Sequence, residues 1–105
     1  MNKEIDVIKN MKTIEWLKAE LLSNISQLYK DMANNEDTSR ENLEDLISNI
    51  ILESYVLAKR LGIDYKSLDK ALKGNIKLNL VEEHKIERWY GDLSALMEHI
   101  ETAEE

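Results

Sequence analysis

Hydrophobic positions from Met11 onward fall into rows at helical spacing. Ile14, Leu17, Leu21, Ile25, Leu28 and Met32 recur at intervals of three or four, the period of one helical face. The spacing predicts a first long helix from about Lys12 to Ala33, followed by a polar loop, Asn34-Asn35-Glu36-Asp37. Residues 1–10 mix charges with Ile5, Val7 and Ile8 and form either a short helix or a docking strap. Thr38-Ser39-Arg40-Glu41 has the form of a capping box, with Thr38 and Glu41 satisfying free amides at a helix start. A second helix then runs to Leu61, where Gly62 supplies a left-handed stop.

The main apolar row of that second helix is Leu43, Leu46, Ile47, Ile50, Ser54, Leu57 and Leu61. Leu52, Tyr55 and Val56 lie on other sides, so one neighbouring helix does not cover it. A central place in a bundle, or a dimer interface, would. Within it, Leu46 to Ala58 is a run of thirteen residues with a single charge, Glu53, and Asn49 one turn earlier. A carboxyl and an amide inside so apolar a helix call for a reason. It is either a ligand or metal site, or a hydrogen-bonded structural contact.

Toward the C-terminus, Asp64 is placed to cap a third helix from Tyr65 to about Lys73, with Leu68 and Leu72 inward and Gly74-Asn75 as an interruption. Ile86, Trp89, Leu93, Leu96, Met97 and Ile100 punctuate a charged tail in which Asp92, after Gly91, caps the last helix. The final residues, 101–105, are expected to fray. The fold class that follows is all-α: a bundle of four to five helices in a single domain over residues 1–105.

Composition agrees with that picture. The 105 residues include no proline, no phenylalanine and only three glycines, a poor supply for the frequent turns of a sandwich or barrel. The net charge of −7 argues against nucleic-acid binding, which needs a basic face, and against adhesion to an anionic membrane. Without cysteine there is no disulfide framework and no thiolate chemistry. No signal peptide and no apolar run long enough to span a bilayer is present, so the expected location is the cytoplasm.

Nucleophilic catalysis has little to stand on. His84 and His99 are fifteen residues apart in the tail, no serine sits in a nucleophile elbow, and Gly62, Gly74 and Gly91 are isolated. Trp16 and Trp89 read as core or interface anchors. The polar rows carry more information. Glu20, Asn24, Gln27 and Asp31 line one side of the first helix; Asp45, Asn49 and Glu53 stack along the second. If the helices pack antiparallel, oxygen-bearing side chains from both converge. Carboxylates on facing helices of a bundle can hold Mg²⁺, which takes about six oxygens in octahedral geometry. The plainer alternative is a solvated face, or amides satisfied across an interface.

Three runs in order, KAELLSNISQL, EDLISNIILESYVLAKRLGID and EEHKIERWYGDLSALMEHI, resemble the small MazG-like proteins, relatives of the all-α nucleoside triphosphate pyrophosphohydrolases. The similarity extends from about Met11 to Ile100. The resemblance implies a helical domain that assembles as a homodimer or a pair of dimers and buries the second helix. In active relatives a Glu-Glu-x-x-Glu motif and a Glu-x-x-Asp motif bind Mg²⁺. The metal activates water for attack on a nucleoside triphosphate, releasing a monophosphate and pyrophosphate. Here Ser23, Asn24 and Gln27 stand at the first motif, and Leu46 and Asn49 at the second. None of these five positions is a carboxylate.

Two readings follow. In one, the acidic motifs are eroded, hydrolysis is weak or absent, and the chain binds a nucleotide or a protein partner. In the other, a site shifted by one helical turn recruits Glu20, Asp45 and Glu53, and Mg²⁺-dependent hydrolysis survives. Lys77 and Asn79 fall near the region where active relatives contact nucleotide, in a loose register.

Overall fold

The computed structural model describes residues 3–34, 39–82 and 85–103. Among them are five helices and no strand: α1 (Lys3–Ala33), α2 (Arg40–Arg60), α3 (Tyr65–Val81), α4 (Lys85–Tyr90) and α5 (Asp92–Ala103). The all-α expectation holds. The chain divides into two compact units, Met1–Tyr65 and Lys66–Glu105.

The first unit is built on a hairpin of α1 and α2. Three side-chain ties cross it and show the helices to be antiparallel. At the open end, the Asn10 amide donates to the carbonyl of Arg60 at 3.0 Å, and Arg60 Nη1 donates back to Asn10 Oδ1 at 3.3 Å. In the middle, the Asn24 amide donates to Glu53 Oε1 at 2.6 Å. Near the connecting loop, the Asn42 amide donates to Asp31 Oδ2 at 2.5 Å. The early residues of α1 thus meet the last turn of α2, and the reverse at the other end. Leu17, 3% exposed, and Leu46 are the buried apolar residues of the inner face, with Leu21, Leu28, Ile50 and Leu57 half-buried.

Helix ends depart from the sequence expectations in instructive ways. Residues 3–11 are neither a separate helix nor a strap; they are the first turns of α1, whose bond ladder has no glycine or proline to stop it. The N-cap of α2 is Ser39, whose hydroxyl accepts from the amide of Asn42 at 3.1 Å. Thr38, expected in that role, lies outside the described residues. At the other end Gly62, at φ +91°, closes α2 as expected. Its amide bonds to the carbonyl of Lys59, and that of Ile63 to Ala58 at 2.9 Å, the paired closure of a Schellman turn. Tyr65 then sets its ring edge-on to Tyr55 at 6.1 Å, with the Lys59 ammonium 5.6 Å from its centroid.

In the second unit, α3 passes through Gly74-Asn75 without a break, contrary to expectation. One glycine costs a helix about 1 kcal/mol relative to alanine, too little to interrupt seventeen residues of otherwise good helix formers. Ile76 is its buried residue. Helices α4 and α5 pack together across Gly91, at φ +69°. The cap of α5 is not Asp92, which is already helical. Glu87 reaches from α4 instead, accepting from the Ser94 amide at 2.9 Å and the Ser94 hydroxyl at 2.5 Å. Residues 101–103 remain helical; 104 and 105 lie outside the described residues.

The run from Leu46 to Ala58 is not covered on every side. Only Leu46, Glu53 and Ala58 are buried, while Ile47, Ile51 and Leu52 are exposed, because a single neighbouring helix shields a single face. Nor are the tryptophans core anchors: Trp16 is 60% and Trp89 66% exposed.

Candidate functional site

The positions singled out in the sequence lie along one flank of the α1–α2 hairpin. At about 100° per residue, Glu20, Ser23 and Gln27 sit to one side of the inner row of α1 marked by Leu17, with Asn24 at its edge. Asp45 and Asn49 sit on the matching flank of α2 relative to Leu46. In an antiparallel pair the direction of travel and the sense of rotation reverse together, so these two sets share one side of the hairpin. The two polar rows do face a common flank.

Convergence is limited to one pair. Glu53, 8% exposed, is the only buried charged residue among the described ones, and it accepts the Asn24 amide at 2.6 Å. Burying that carboxyl without a partner would cost several kcal/mol, on the order of the usual penalty for an unpaired interior charge. The amide removes that cost. Gln27 does not join them; its amide donates to Asp31 Oδ1 at 2.8 Å, one turn along α1. Asn49 is half-buried, Ser23 is exposed, and Leu46 fills its position with an apolar side chain in the hairpin core.

The displaced carboxylates are not gathered. Among the described residues no three of His, Cys, Asp and Glu form a group able to hold a metal. Register explains it. The pairings of Asn24 with Glu53 and of Asp31 with Asn42 put Asp45 level with residues 28–32 of α1. That is about 12–18 Å along the axis from Glu20, at roughly 1.5 Å per residue. Side chains of that length do not close such a gap onto one ion.

The donor set present does not fit Mg²⁺. A hard cation needs oxygen lone pairs, and carboxylates above all. Asn24 and Gln27 turn their N–H groups, not their oxygens, toward the neighbouring carboxyls. At the second motif an apolar side chain stands in the core.

Lys77 and Asn79 lie on α3, in the second unit. Lys77 is exposed, and the Asn79 amide donates to the carbonyl of Asn75 one turn back at 2.8 Å. His99 is exposed, and His84 lies outside the described residues. A shallow cleft of about 440 Å³ opens at the far end of the hairpin, beside Asn10, Lys59 and Arg60. Its cations are already engaged, Arg60 with Asn10 and Lys59 with the Tyr65 ring. Sequence reasoning missed the Asn10–Arg60 tie: two polar residues at opposite ends of a helical pair carry no local signal of contact.

An all-α protein with amide-rich rows on one flank of a helical hairpin is the class that fold and site define. Within it, the sequence model of the MazG-like family matches residues 7–93, most of the chain. The chain belongs to the MazG-like family. Comparison with curated proteins and with solved structures found no match.

Proposed function

We propose that this chain is a MazG-like module that works by binding, as a homodimer, and hydrolyses nucleoside triphosphates weakly or not at all. The supporting observation is Leu46. It stands where active relatives place a metal-binding glutamate, and here it is buried in the hairpin core, 8% exposed. A leucine there offers a cation no oxygen, and a substitution to glutamate would have to displace packed apolar neighbours.

What the module binds is a nucleotide or a protein partner. Lys77 is the candidate contact for a nucleotide phosphate, since it is exposed and falls near the region where active relatives contact nucleotide. Leu22 and Tyr29 on α1 and Ile47 and Ile51 on α2, all exposed, support the second copy. None of the described helices is long and apolar enough to cross a membrane.

The test is pyrophosphate release from a panel of nucleoside triphosphates with Mg²⁺ or Mn²⁺, with melting temperature followed in parallel. The expected result is no metal-dependent release, and a nucleotide-dependent rise in Tm if the ligand is a nucleotide. Turnover abolished by Glu53→Gln would show instead an active hydrolase that uses Glu53.

A further inference from the structure

We propose that the Asn24–Glu53 hydrogen bond is the hairpin's own substitute for a bridging cation, and that it leaves α1 and α2 indifferent to divalent metal. A metal ion between two acidic helix rows does two things: it cancels repulsion and it ties the helices together. Both needs are met here without one. Between residues 24 and 53 there is no repulsion, because position 24 carries an amide. The tie is the N–H of Asn24 on Glu53 Oε1, at 2.6 Å and partly buried. Among the described residues no buried side-chain nitrogen or oxygen lacks a hydrogen-bond partner.

The same geometry makes the substitute fragile in a particular way. Asn24→Asp changes the donor into a second acceptor and sets two carboxyl groups face to face across the gap now spanned by one hydrogen bond. Two carboxylates that close do not both stay charged unless a proton or a cation joins them. One substitution would therefore convert a metal-indifferent hairpin into a metal-dependent one. The inference rests on the reading that no metal serves this site, but it is read out separately: pyrophosphate release tests the function, and the melting temperature tests the tie.

The experiment is thermal unfolding of the full chain near neutral pH, in EDTA and in millimolar Mg²⁺ or Ca²⁺. Wild-type Tm is expected to be the same in all three. Asn24→Asp is expected to melt about 5–10 °C lower in EDTA, a shift typical for loss of one buried polar tie in a domain of this size, and to recover at least half of that with either cation. Asn24→Ala lowers Tm equally with and without metal. Glu53→Gln, which keeps an acceptor oxygen, loses less than Glu53→Ala. The proposal is overturned if metal raises wild-type Tm, if Asn24→Asp melts like wild type in EDTA, or if its loss is not recovered with either ion. Should Asn24→Asp not fold at all, equal losses in Glu53→Gln and Glu53→Ala would overturn it as well.

Discussion

Glu87 and Ser94 show how much one side-chain pair can organise. The carboxyl accepts both the hydroxyl and the amide of Ser94, in the first turn of α5, where helix amides have no partner of their own. The Ser94 hydroxyl, then its amide, hold the Glu87 pKa below the ordinary value of 4.5, against a smaller upward push from desolvation. A carboxyl whose folded pKa is depressed contributes stability that is present above its unfolded pKa. That contribution is lost as pH falls through the folded one. In Ser94→Ala the titration of Glu87 should move back up toward 4.5, and the α4–α5 unit should lose part of its acid sensitivity. Carboxyl chemical shifts across a pH series check this; an unmoved Glu87 would contradict the pairing. Asp92 was the legible cap because it adjoins Gly91 in sequence. Glu87 was not legible, since its reach depends on Gly91 turning α4 back on α5.

Two glycines of the same composition have opposite consequences at the scale of the helix. Gly74 sits inside α3 with helical backbone and open space where a Cβ would stand. Gly74→Ala should stabilise the protein by about 0.5–1 kcal/mol, the usual helix-interior gain. Gly62 is at φ +91°, a backbone that L side chains rarely adopt, so Gly62→Ala should cost about 1 kcal/mol or more although it too meets no neighbour. Urea unfolding midpoints with constant m-values separate the two; equal signs would show that one helix end or interior is not as described. The Gly62 stop was legible because a glycine after LAKRL coincides with the end of the apolar row. Gly74 misled as an apparent break because a lone glycine has the same appearance in both settings, and only the helix formers around it decide. The facing of α1 on α2 was legible from polar rows of matching period, and Glu53 from its isolation among apolar neighbours. Their register was not, because it is set by ties such as Asn10 with Arg60, fifty positions apart.

At the scale of the molecule, the described residues bury few apolar side chains for a chain of this length: Leu17, Leu46, Ala58 and Ile76. Burial of apolar area is the main stabilising term in folding, at about 25 cal/mol per Å², so large side chains left in water point to a further partner. Some of them align on the hairpin. Val7, Met11, Leu22, Tyr29 and Met32, with half-buried Ile14 and Ile25 between them, follow helical spacing along α1, interrupted by Lys18, with Leu22 70% and Tyr29 68% exposed. On α2, exposed Ile47 and Ile51 begin a shorter row that continues to Ser54 and the buried Ala58. By the rotation argument that joins the amide rows on one flank, these two rows share the other. That flank carries the longer apolar rows, although Trp16 and Leu52 also lie exposed on the amide side. A second copy is the partner we expect on the flank of the apolar rows, since a surface needed for stability has to be covered wherever the chain is made, and only another copy is always there. With a net charge of −7 on each copy, apolar burial has to outweigh mutual repulsion, so added salt should strengthen the association. Sedimentation velocity should find a dimer that persists at micromolar concentration. Leu22→Glu with Ile51→Glu should shift it to monomer, while Gln27→Glu on the amide side should leave it dimeric. A wild-type chain that sediments as a stable monomer at every concentration would mean that the apolar flank has another occupant.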